Sequence, residues 1–130
     1  MKENYLFRGK ATNNGEWVTG HLVQGETQEP RIFFRGAYCY VYIKTVGQCT
    51  GKRDRTGTLV FEGDVVTVAA GNDPSGSLGY VTGEVLYSDE ACGYLISQGK
   101  AAVALGHYDT PCVKVKGNIH DDPALMEEYG

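Results

Sequence analysis

The stretch Thr45–Val66, "TVGQCTGKRDRTGTLVFEGDVV", sets Gly47, Gly51 and Gly57 and the charges Lys52, Arg53, Asp54 and Arg55 between two runs of strand-forming residues. It cradles a phosphate, grips a nucleic acid, or turns the chain. A phosphate-binding P-loop needs G-x-x-x-x-G-K-[S/T] between a strand and a helix. Here the glycine spacing is one residue short, and Arg53 stands where the metal-binding hydroxyl belongs. The residues after Gly57 read as strand, so no helix dipole is on offer to hold phosphate. The stretch Gly47 to Arg53 is therefore read as a turn, with Lys52 to Arg55 as its solvated tip.

The alternative is contact with nucleic acid. Lys52, Arg53 and Arg55 are the most basic cluster in the chain, and the run "AYCYVYI" shortly before them holds Tyr38, Tyr40 and Tyr42. Cations that track a backbone and aromatics that stack on bases together bind single strands. Against this, Asp54 lies inside the cluster, Glu62 and Asp64 come just after it, and the net charge is −4. An acidic chain repels phosphate backbones overall, so nucleic acid is the less favoured partner.

Outward from this stretch the chain reads as strand after strand. "YLFRGKA" and "EWVTGHLVQ" flank "TNNG", where Asn13, Asn14 and Gly15 tolerate the positive φ of a tight hairpin. In Tyr38–Ile43, period two sets the tyrosines on one face and Cys39, Val41 and Ile43 on the other, and the smaller set suits a core. "GTLVFEGDVVTVAA" reads as two short strands joined at Gly63, with Asp64 bonding nearby backbone N–H groups. "GNDPSGSLG" is the most loop-like stretch, and "YVTGEVLYSDEACGYLIS" reads as a hairpin. "QGKAAVALGHYDTPC" stays ambiguous. "VKVKGNI" is a strand with Val113 and Val115 on one face and Lys114 and Lys116 on the other. In "HDDPALMEEYG", Asp122 can cap a short helix that Pro123 opens, with Leu125, Met126 and Tyr129 on its apolar side.

The length of 130 residues predicts one domain with a real core. The opening "MKENYLFRGK" lacks the apolar core of a signal peptide. No run approaches the roughly 20 apolar residues of a membrane helix. A soluble, cytoplasmic protein with no membrane partner is expected. Cys39, Cys49, Cys92 and Cys112 form no C-x-x-C pair, so free thiols are expected rather than zinc ligands, and no cofactor is called for. His21, His107 and His120 offer little for catalysis. His107, Asp109 and Cys112 are near in sequence, but neighbours on a strand point to opposite faces. No catalytic residue and no metal site is assigned.

The order of several blocks resembles the YopX family of small proteins encoded by phages and prophages. "FRGK", "NGEWVTG", the central "TVGQCTGKRDRTGTLVFEGDVV", "GEVLY", "GYLI" and "VKGNIHDDPALM" succeed one another as in that family, over most of the chain. Cys49 stands where the family usually has an aromatic residue, and Lys52 where it usually has an apolar one. The segment between Ile96 and Pro111 matches least. The resemblance implies a mostly-β fold with an SH3-like barrel or roll. A single domain would then comprise an N-terminal β-layer over about 1–57, a barrel portion over about 58–120 and a C-terminal helical turn over 121–130. Gly47, Gly51 and Gly57 would supply turns linking layer and barrel. The resemblance carries no catalytic residues.

A non-enzymatic accessory protein is therefore expected, one that assembles with itself or binds a host or phage protein. Its motive is the apolar and aromatic surplus in "RIFF" and "AYCYVYI", more than a small domain readily buries.

Overall fold

The computed structural model describes residues 3–24 and 29–126. The chain divides into two compact units at Gly51/Lys52. It is mostly β, in two antiparallel sheets joined by turns and short 3-10 segments.

The first unit begins with the hairpin that "TNNG" predicts. Strands β1 (Phe7–Lys10) and β2 (Trp17–Val23) pair antiparallel. Gly15 turns between them at φ 72°, and the Asn14 side chain accepts from the Glu16 N–H at 2.9 Å. Strands β3 (Arg31–Phe34), β4 (Ala37–Tyr40) and β5 (Gly47–Arg53) complete the order β4-β3-β2-β1-β5. Ala11, Ile32, Val41 and Cys49 form its buried interior. The predicted alternation holds through Val41 and fails at Ile43, which is 51% exposed. The reason is local: β4 ends at Tyr40, and Ile43–Thr45 winds into a 3-10 turn, where period two no longer applies.

The second unit holds β6 (Leu59–Phe61), β7 (Asp64–Ala69), β8 (Tyr80–Ser88), β9 (Gly93–Ser97), β10 (Ala102–Ala104) and β11 (Val113–Asn118). β6 comes after β5 in strand order, and the other five form the sheet β10-β9-β8-β7-β11. The Gly63 joint and the β8–β9 hairpin stand as the sequence predicts. Gly63 has φ 89°, and the Asp64 carboxylate accepts from the Phe61 N–H at 2.8 Å. The core is built on Val60, Val66, Val68, Val85, Ile96 and Val113.

The closed barrel that the resemblance implied is not formed. The five-stranded sheet stays open between β10 and β11. Strand β10 is only three residues long before the chain winds into 3-10 turns at Leu105–His107 and Thr110–Cys112, which leaves little edge to pair. Of the predicted helix at 121–130, the described part shows only a turn reaching helical form at Leu125 and Met126. No side-chain cap from Asp122 is seen; its backbone carbonyl accepts from the Leu125 N–H at 3.1 Å. Leu125 is buried. Residues 127–130, with Tyr129, lie outside the described residues.

Strand β8 carries a cost. Burial raises the pKa of Glu84 above its ordinary 4.5. The folded state then holds this proton more tightly than the unfolded chain, so the stability contribution falls as pH rises above 4.5. Glu84→Gln removes the buried charge. It is expected to raise the urea midpoint at neutral pH, with the gain shrinking below about pH 4.5.

Candidate functional site

Two surfaces hold the residues singled out by sequence, one in each unit.

In the first unit, β3 and β4 form a hairpin at the sheet edge. Its turn places Arg35 at φ 49° and Gly36 at φ 80°. Antiparallel register sets Phe33 opposite Tyr38, and their rings lie 5.2 Å apart. The Arg31 guanidinium sits 4.7 Å over the Tyr38 ring. Tyr38, Tyr40 and Tyr42 are 56%, 49% and 52% exposed, and Phe33 and Phe34 are 38% and 39% exposed. Phe34 belongs to the opposite face, where Ile32 and Val41 are buried. Phe33, Tyr38, Tyr40 and Tyr42 thus leave large rings exposed on one face at the sheet edge.

In the second unit lies the basic turn. Here the sequence reading needs correction. Gly47–Arg53 is strand β5, not a turn, and Gly47 is buried and paired with Arg8. The reversal comes at Asp54–Thr58, where Gly57 adopts φ 88° and the Asp54 N–H donates to the Thr58 carbonyl at 2.8 Å. Nor is Lys52 to Arg55 a solvated tip. Asp54 is 1% exposed. One carboxylate oxygen accepts from the Thr56 N–H, the Thr56 hydroxyl and the Thr58 N–H at 2.9, 2.7 and 3.0 Å. The other accepts from the Val115 N–H at 2.9 Å and lies 3.8 Å from the Lys114 ammonium. The Arg55 N–H donates to the Val113 carbonyl at 2.8 Å. The turn is therefore pinned to β11 through a buried anion. Burial alone would raise the Asp54 pKa; the hydrogen bonds from Val115, Thr56 and Thr58 outweigh it and hold the group below its ordinary 3.8.

Of the predicted contact residues, Lys52 is half-buried, while Arg53 and Arg55 are exposed. The Arg53 guanidinium donates to the Gly57 carbonyl at 2.7 Å. Tyr38, Tyr40 and Tyr42 belong to the first unit and the basic turn to the second.

His107, Asp109 and Cys112 do not converge in a hydrogen-bonded set. His107 packs edge-on against Tyr108, and the Asp109 carboxylate accepts from the Asn72 side chain at 3.0 Å. All four cysteines are free, Cys49 and Cys112 buried. Among the described residues no group of three or more His, Cys, Asp or Glu side chains is placed to hold a metal. No helix among them is long and apolar enough to cross a membrane.

A family model described as YopX protein matches residues 6–127. The chain belongs to the YopX family. A comparison with curated proteins found no match. Cys49 and Lys52, singled out in the sequence, now have a setting. Cys49 is fully buried, so a small apolar thiol fills an interior position. Lys52 is half-buried, which suits a long aliphatic stem with a charged end.

Proposed function

We propose that the protein is a non-enzymatic, phage- or prophage-encoded accessory protein that associates with copies of itself through the exposed face of the β3–β4 hairpin. The carrying observation is the set Phe33, Tyr38, Tyr40 and Tyr42, which register and period two put on one face and which are exposed by 38 to 56%. Interfaces are rich in tyrosine, phenylalanine and arginine at their centres, and Arg31 stacked on Tyr38 fits that composition. A second copy is the favoured occupant because Lys10–Thr12 cover the edge only at Tyr40–Tyr42, and the remaining edge at Ala37–Cys39 can pair with its own two-fold mate. A host or phage protein adding a strand to the same edge is the other occupant of this surface.

Membership in the YopX family supports the phage setting, and the reading places the protein in the host cytoplasm. We also infer an SH3-like roll for the five-stranded sheet. Its support is the meander β7-β8-β9-β10, the 3-10 turns after it, and the return of β11 beside β7. Nucleic-acid contact through Lys52, Arg53 and Arg55 with the three tyrosines is weaker, because the Arg53 guanidinium is bonded within its own turn and the tyrosines belong to the other unit.

Hydrogen exchange at low and high protein concentration tests the proposal. Amides of residues 37–40 are expected to exchange more slowly as concentration rises. Equal rates across a hundredfold range would refute self-association through this edge.

A further inference from the structure

In a chain of net charge −4, three cations line one cleft of the second unit. The cleft has a volume of about 240 Å³, and Arg55, Lys114 and Lys116 share its lining with Tyr80, Pro74 and Pro111. Register explains the arrangement. Lys114 stands opposite Thr67 across β11 and β7, Thr67 stands opposite Thr82, and Ala69 stands opposite Tyr80. A bulge between Val115 and Gly117 takes up Lys116. Arg55 joins them because its own N–H is bonded to Val113 and its neighbour Asp54 to Val115.

The walls are braced before any ligand arrives. Asn72 donates to the Asp109 carboxylate at 3.0 Å and accepts from the Asp109 N–H at 2.8 Å, which ties the Pro74 loop to the Pro111 turn. Gly76 leaves room for the hydroxyl end of Tyr80, where a Cβ would collide. Of the acidic neighbours, Asp54 lies beside Lys114 and Asp73 is bonded within its own loop. The Asp73 carboxylate accepts from the hydroxyls of Ser75 and Ser77 at 2.8 and 2.7 Å.

We propose that this cleft binds a phosphate ester of mononucleotide size, with the phosphate on Arg55, Lys114 and Lys116 and the planar ring against Tyr80. Size sets the limit at one nucleotide unit, since the volume falls below the roughly 300 Å³ at which ligand pockets usually begin. Three cations on a braced wall suit a dianion, because charge-assisted hydrogen bonds are the strong ones. The unit reaches the cleft either as a free nucleotide or as one residue of a single strand. This proposal stands apart from self-association, which uses residues of the first unit.

Titration followed by amide chemical shifts tests it, with adenosine monophosphate, inorganic phosphate and a short single-stranded oligonucleotide as probes. The expected result is saturable shifts at Thr67, Tyr80, Cys112 and Lys114 on adding adenosine monophosphate, weakened as salt rises. The double variant Arg55→Gln, Lys116→Gln is expected to weaken binding at least about tenfold. It keeps Lys114 beside Asp54, and an unchanged thermal midpoint shows that the fold is intact. Tighter binding of the oligonucleotide at the same amides assigns the unit to a strand; equal or weaker binding assigns it to a free nucleotide. No shifts at low salt with any probe, or shifts that persist in the double variant, would overturn the proposal. Equal affinity for inorganic phosphate and adenosine monophosphate would overturn the mononucleotide assignment.

Discussion

Asp54→Ala is expected to lower the unfolding free energy by about 3–5 kcal/mol at neutral pH, the usual cost of removing one partner of a buried charged network. The substitution strips the Thr58 and Val115 N–H groups of their acceptor, and a buried donor without an acceptor costs its full desolvation. It also leaves the half-buried Lys114 without its counter-charge. Asp54→Asn keeps the shape but turns one acceptor into a donor aimed at an N–H or a hydroxyl, so an intermediate loss of about 1.5–3 kcal/mol is expected. The pH dependence has a definite sign. The folded-state pKa lies below the ordinary 3.8. The stabilising effect of the ionised group is therefore complete above 3.8 and disappears as pH falls through the lower folded value. Urea unfolding of wild type and Asp54→Asn at a series of pH values measures this. The gap between them should narrow only below about pH 4. A gap that stays constant into strong acid would mean that the ionised carboxylate is not what holds the turn to β11.

Gly83→Ala is the second large effect. A Cβ on Gly83 would lie 2.6 Å from the Ser97 carbonyl oxygen and 2.7 Å from the Ile96 Cγ2. The oxygen belongs to the backbone of β9, which pairs with β8 on that side through Glu84 and Ser97, so it cannot yield without breaking the ladder. Overpacking of this kind costs about 3 kcal/mol, or roughly 10 °C in thermal midpoint for a chain of this size. Gly20 plays the same part in the first unit, where a Cβ would collide with the Phe33 carbonyl oxygen. Gly106 is the control. Nothing lies within 4 Å of a Cβ built there, and its φ is not positive. Gly106→Ala should be neutral, or stabilising by up to about 1 kcal/mol through the unfolded chain. Equal midpoints for Gly83→Ala and Gly106→Ala would show that β8 and β9 are not packed as described.

Much of the fold was legible because it rests on local chemistry. "TNNG" forces a hairpin, Gly63 a joint, and the valines of "DVVTV" a buried strand. Tyr38, Tyr40 and Tyr42 were legible as one face by period two, and so was the burial of Val41. The alternation misled at Ile43, where a 3-10 turn takes over. Asp54 had a local signal that the reading passed over. In "DRTGT" an aspartate precedes Thr56 and Thr58 at the spacing of an Asx-type turn, and such an acid turns inward to the backbone. Its bond to Val115, 61 residues away, had none. The cleft was illegible for the same reason. Lys114 and Lys116 were rightly set on one face of their strand, but only the pairing of β7 with β11, and the docking of Arg55 on Val113, brings the three cations together.

The central claim is that the β3–β4 face joins copies of the chain, and sedimentation equilibrium tests it most directly. The comparison is wild type against the double variant Phe33→Ser, Tyr38→Ser, whose rings are exposed and whose loss costs the fold only about 1 kcal/mol for the cross-strand pair. The account predicts a multiple of the chain mass for wild type and a single chain mass for the variant at the same concentration. A single chain mass for wild type at the highest soluble concentration would contradict it, as would an oligomer that the double substitution leaves intact.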